Sequence, residues 1–156
     1  MGRRHYRASR WSAQARLGCY TLAALIWRAA ERCTWCALAV ERPGYAIDHV
    51  VPRALGGDDA TGNLVLSCMA CNCLRGGHGG IPAALVERLE AMGRTEAECW
   101  AEVARQIAIP VGRGTDANRA ARSLAEEWFG DAIEKDLRLA RDYKARVTAE
   151  LARLPF

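Results

Sequence analysis

Asp48-His49-Val50-Val51-Pro52, then Gly56-Gly57, then Asn63-Leu64-Val65-Leu66-Ser67-Cys68-Met69-Ala70-Cys71-Asn72 decide how this chain is read. The branched residues Ile47, Val50 and Val51 favour a strand over residues 45–51, which Pro52 ends. Residues 53–62 hold Gly56, Gly57, Gly62 and two aspartates, a polar loop. Leu64-Val65-Leu66 reads as a second short strand, and residues 69–76 as a short helix closed by Gly76-Gly77. Strand, loop, strand and helix therefore follow one another in a single small module.

Cysteines bracket that module. Cys33-Thr34-Trp35-Cys36 stands upstream and Cys68-Met69-Ala70-Cys71 closes the second strand. Two C-x-x-C pairs suit tetrahedral ligation of a structural zinc ion, which would pin both ends of the strand pair. Four buried thiols or two redox pairs are the competing readings. Cys73, two residues past Cys71 on a helix, would face away from the ion, and Cys19 and Cys99 read as core thiols. Asp48 and His49 alternate along a strand and so point to opposite faces unless a strand end or bulge brings them together. With Asn72 on the following helix they offer an oxygen-rich cation site beside an imidazole.

Asp48-His49-x-x-Pro52, Gly56-Gly57, Asn63-Leu64 and Cys68-x-x-Cys71-Asn72-x-x-Arg75-Gly76 resemble the zinc-bearing branch of the HNH endonuclease family. The resemblance covers residues 33–77 and implies a ββα-metal fold with two antiparallel strands. It implies that His49 is the general base and that Asn63 fixes the loop holding it. It further implies that Asp48 and Asn72 ligate one catalytic Mg²⁺ or Mn²⁺, while Cys33, Cys36, Cys68 and Cys71 hold structural Zn²⁺. Arg75 stands where the family often has Lys and is expected, like Arg53, to contact nucleic-acid phosphate. The implied reaction is hydrolysis of DNA phosphodiester bonds, double-stranded DNA foremost, leaving 5′-phosphate and 3′-hydroxyl ends. The rival readings are a zinc-ribbon module that binds nucleic acid or protein without cleavage, and a phage or mobile-element assembly factor whose nuclease activity depends on a partner.

Outside the module the pattern is helical, so the fold class is mainly α with a small zinc-stapled ββα-metal unit, an α+β chain of about five to six helices. Residues 1–32 read as a basic arm (Arg3, Arg4, Arg7, Arg10, Arg16) and a helix from Ser12, with Leu17, Tyr20, Ala24 and Trp27 on its apolar stripe. Residues 33–80 form the nuclease-like module, with a turn at Pro43-Gly44, and residues 81–156 a helical region packed on it. There, helices are expected from Pro82 to Gly93, from Thr95 with a Thr95/Glu98 capping box to Pro110, from an Asp116 cap to Phe129, and from Asp131 to Leu154. Ile133, Leu137, Ala140, Lys144, Val147, Leu151 and Leu154 repeat at four-three spacing; internal packing is favoured over a dimer seam. Trp100, Trp128 and Phe129 read as core anchors, and His78 as a loop residue.

The net charge is +4, and all but Lys135 and Lys144 of the 22 basic residues are Arg, a bias that fits a polyanion partner. The metal-like cysteine spacing points to a reducing, cytoplasmic setting; the family resemblance implies a bacterial or phage context. Arg3, Arg4 and Arg7 before an apolar stretch loosely resemble a signal peptide, but Arg28, Glu31 and Arg32 interrupt that pattern. No stretch is long enough to span a membrane; a homodimer or a larger nucleoprotein complex is compatible with these features.

Overall fold

Helix α1, Cys19–Arg28, runs through the centre of the core. Leu22, Ala23, Ala24, Leu25 and Ile26 are all fully buried, as a helix apolar on nearly every side must be. The computed structural model describes residues 17–41 and 44–154. The expected arm of Arg3, Arg4, Arg7, Arg10 and Arg16, the helix start at Ser12 and Pro43 of the expected turn lie outside them. The buried arc of α1 is not the expected stripe: Tyr20 and Trp27 are exposed. The helix is covered by the C-terminal helices on one side and by the second strand on another, which encloses its middle. Gly18, at φ 77°, marks its N-terminal limit.

Past Arg28 the chain reverses through Ala30 and Glu31, both left-handed at φ 54° and 58°, and enters the Cys33–Cys36 knuckle. Two antiparallel strands follow, β1 (Tyr45–His49) and β2 (Leu64–Cys68), with Tyr45 opposite Cys68 and His49 opposite Leu64. The loop between them carries two 3-10 turns, Arg53–Leu55 and Thr61–Asn63. Helix α2 (Met69–Arg75) leaves β2 directly, and its first turn is capped by the Cys68 sulfur, which accepts the Cys71 amide.

Four helices complete the described fold: α3 (Ala83–Ala91), α4 (Glu96–Ile107), α5 (Asp116–Ala120) and α6 (Arg122–Leu151). The fold is thus mostly helical with a two-stranded antiparallel sheet, six helices among the described residues. The capping box forms as expected: Thr95 Oγ1 accepts the Glu98 amide at 3.2 Å, and Glu98 accepts the Thr95 amide at 2.9 Å. The α5 cap is Thr115, not Asp116: its hydroxyl accepts the Asn118 amide and donates to Gly112 O. The helix expected from Asp116 to Phe129 breaks at Ala121, and its second part runs on into the last expected helix, bent at Phe129 (φ −131°, ψ 15°). No proline intervenes to end the helix, and the buried Phe129 ring, edge-on to Tyr45, ties that turn to the core. Internal packing of the four-three repeat stops one turn past it, at Ile133. Ile133 is partly buried, but Leu137, Leu151 and Leu154 are exposed because the helix has outrun the core.

Trp35, wholly buried in the first knuckle, packs edge-on to Trp100 at 5.6 Å, and Tyr45 to Trp128 at 5.6 Å. Burial of such large side chains is worth roughly 1.5–3 kcal/mol each. Arg28, at the end of α1, is buried and donates to Leu64 O at 2.6 Å, Thr61 O at 3.3 Å and Ile109 O at 3.3 Å. Burial first, and the nearby Arg105 charge second, lower its pKa to about 10. It anchors the hairpin loop from behind. No helix of the described residues is long and apolar enough to cross a membrane.

Candidate functional site

The sulfur atoms of Cys33, Cys36, Cys68 and Cys71 all lie within 4.8 Å of one another. Zinc–sulfur bonds of about 2.3 Å at tetrahedral angles put sulfurs about 3.8 Å apart. Cys36 and Cys68 stand at 3.9 Å, so the cage fits that ion. Each knuckle turns an amide onto its leading sulfur, Cys36 N to Cys33 at 3.5 Å and Cys71 N to Cys68 at 3.4 Å. Hydrogen bonding from Cys33 pulls the Cys36 thiol down to about 6 and holds Cys68 low as well; the shared protons push Cys33 and Cys71 up. A thiophilic cation replaces such shared protons. Cys73 is exposed and Cys19 and Cys99 are buried, none of them in the cage.

Arg88 of α3 closes over the cage, donating from Nε to Cys71 sulfur at 3.4 Å, with Nη2 3.9 Å from Cys68 sulfur. Arg94 grips the other knuckle through the carbonyls of Trp35 (3.1 Å) and Thr34 (3.3 Å). Neither arginine stood out in the sequence, where nothing separates them from solvated helix charges.

At the far end of the hairpin His49 is half-buried, and its Nε2 lies 2.7 Å from Asp59 Oδ1. Arg53 grips the same carboxylate: Nη2 reaches both oxygens at 2.7 Å and Nε reaches Oδ1 at 3.2 Å. These bonds, the one with His49 first, hold the Asp59 pKa below the ordinary carboxylate value. The position was missed in sequence, where Asp58 and Asp59 were simply part of a polar loop.

Asn63 stitches that loop to the end of β1. Its Oδ1 accepts the Val51 amide at 2.8 Å, and its Nδ2 donates to Val51 O at 3.0 Å and Asp58 O at 2.8 Å. Gly57 is required by close approach: a Cβ there would lie 1.7 Å from Val51 O.

Asp48 faces away from His49, as strand alternation dictates. Its Oδ2 accepts Trp35 Nε1 at 2.9 Å and Arg75 Nη1 at 3.1 Å, which leaves Oδ1 without a hydrogen bond among the described residues. Burial pushes the Asp48 pKa up, and the Arg75 charge opposes that shift. The half-buried Asn72 side chain likewise makes no hydrogen bond among the described residues. One carboxylate and one amide oxygen are hard donors, a set that suits Mg²⁺ or Mn²⁺.

Arg75 departs from expectation. Its side chain is completely buried and stacks 4.5 Å from the Trp35 ring centroid. It donates to His49 O and Val50 O at 2.6 Å each, to Gly80 O at 3.2 Å and to Gly79 O at 3.4 Å, besides Asp48. A guanidinium enclosed by five acceptors has no face left for a phosphate; it fastens α2 and the following loop to β1. Arg53 is more than half exposed and retains Nη1 beyond its bonds to Asp59. His78 is an exposed loop residue whose Nδ1 accepts the Gly80 amide at 3.0 Å.

No curated protein and no solved structure matches the chain. The cysteine cage, the His49 hairpin and α2 coincide with residues 33–76, just over a quarter of the chain, and that segment matches the model of the HNH endonuclease family, a nuclease-type, metal-binding domain.

Proposed function

We propose that the protein is a metal-dependent endonuclease that hydrolyses DNA phosphodiester bonds, double-stranded DNA foremost, inside the cell. What supports this most is His49: a half-buried imidazole at a strand end, held by a carboxylate, in a segment that matches a nuclease family. A positioned imidazole can serve as general base for an attacking water, worth on the order of 10²–10⁴-fold.

Asp48 and Asn72 are the residues that would hold a divalent ion, Mg²⁺ or Mn²⁺, which when bound supplies charge stabilisation at the phosphoryl and leaving 3′-oxygens. The chain's own groups do the rest. His49 receives the water proton. Asn63 keeps the loop at the fixed distance from β1 that the base needs. Arg53 offers its free edge to a backbone phosphate, whereas Arg75 has no such role. The cysteine cage holds Zn²⁺ and keeps the hairpin rigid without taking part in the reaction. Products would carry 5′-phosphate and 3′-hydroxyl ends.

Supercoiled plasmid incubated with Mg²⁺ or Mn²⁺, with a chelator control, tests the reading. Wild-type protein should nick or linearise it, and His49→Ala should lose at least about 100-fold of that activity. Equal cleavage by both would remove His49 as the base, and none by either would leave a zinc-stapled module that does not hydrolyse DNA.

A further inference from the structure

We propose that Asp59 is a positioning residue for His49, fixing which ring nitrogen carries the proton and how the ring is aimed; this rests on the reading of His49 as base. Asp59 is ionised at working pH, since its bonds to His49 and Arg53 hold its pKa low. An ionised carboxylate can only accept hydrogen bonds. At 2.7 Å, therefore, Nε2 of His49 must donate, and the neutral ring keeps its lone pair on Nδ1. That nitrogen is the one left to take a proton from water. The imidazolium so formed keeps Asp59 as its counter-charge; the hydroxide bonds to phosphorus as the P–O3′ bond breaks, and the leaving 3′-oxygen takes its proton from solvent water.

The loop is built to deliver this carboxylate. Asn63 ties Val51 and Asp58 together, one residue before Asp59. The neighbouring Asp58 carboxylate accepts the Ala60 amide at 3.1 Å, whereas that of Asp59 meets the ring. Arg53 clamps the carboxylate from its other side with both oxygens engaged. An ordinary exposed ion pair needs none of this and would contribute little. Here one oxygen is shared between a guanidinium and the ring of the proposed base, an arrangement of base and orienting group.

The test uses the full chain, labelled with ¹⁵N at histidine, and the variants Asp59→Ala, Asp59→Asn and Asp58→Ala. Spectra are recorded about two pH units above the ordinary imidazole range, so that neutral tautomers are read directly. The His49 signals are identified by their loss in His49→Ala. Wild type and Asp58→Ala should show Nε2 protonated; Asp59→Ala should show a mixture of tautomers; Asp59→Asn, whose amide oxygen still accepts, should restore the wild-type pattern. In plasmid cleavage, Asp59→Ala should lower kcat by about 10–100-fold with KM changed less than about threefold. An unchanged His49 spectrum in Asp59→Ala, or a loss confined to KM, would overturn the proposal. The spectrum answers even if the wild-type chain cleaves nothing, so failure of the nuclease reading and failure of this one are told apart.

Discussion

Replacing Arg75 by methionine keeps most of the side chain's volume and removes its charge. Asp48 would then stay buried with Trp35 as its one remaining partner, and the carbonyls of His49 and Val50 would each lose a 2.6 Å charge-assisted bond. Removing one member of a buried ion pair costs about 3–5 kcal/mol, chiefly because the other charge is left uncompensated. In a chain of this size each kcal/mol moves the melting point by about 2–4 °C, so the variant should melt roughly 6–20 °C below wild type at neutral pH.

The sign of the pH dependence follows from Asp48. Its pKa is already pushed above the ordinary 3.8 by burial, and loss of the Arg75 charge raises it further. The folded variant therefore holds a proton that the unfolded chain releases, and its deficit grows as pH rises from about 4 toward neutrality. Thermal melts of wild type, Arg75→Met, Asp48→Asn and the double variant, in saturating zinc across that range, check both size and direction. The double variant should recover part of the loss. A single variant melting within about 2 °C of wild type, or strictly additive losses, would show that Arg75 does not organise this interior; weakened DNA binding at unchanged stability would restore it as a phosphate contact.

Cys71→Ser should abolish stoichiometric zinc by elemental analysis and broaden or erase the cooperative melt, because metal binding and folding of such a module are one equilibrium. Gly57→Ala should cost about 1–3 kcal/mol in chemical denaturation, since its Cβ would collide with Val51 O, and plasmid cleavage should fall with it. Thr95→Ala should cost about 1 kcal/mol, read from the same denaturation curves. Glu98, whose pKa the Thr95 amide lowers, should contribute fully above its ordinary 4.5 and lose that contribution as pH falls through the lowered value; the melting gap between wild type and Glu98→Gln should close accordingly.

What could be read from sequence was what depends on neighbours along the chain. The Thr95/Glu98 cap, both strands within two residues and the C-x-x-C knuckles have local signatures. Local logic also placed Asp48 and His49 on opposite faces. What it lacked was depth. Arg75 and Arg88 carry identical side chains, yet one is enclosed beneath Trp35 and the other leans on sulfur, a difference fixed by distant segments. Asp59 became part of the site only when Asn63 folded the loop onto β1, and no spacing announces that. The end of α6 failed for the opposite reason: its four-three repeat is real, but the core against which it would pack ends at Phe129.

The pairing of Tyr45 with Cys68 and of His49 with Leu64 sets the cysteine cage and the imidazole at opposite ends of one short ladder, four residues or roughly 14 Å apart. Sliding that ladder by a single step would exchange the faces of Asp48 and His49 and drag Cys68 out of reach of its three companions. A metal ion held in the cage would thus act as a key that permits only one alignment of the strands, and would govern the distant imidazole through geometry alone.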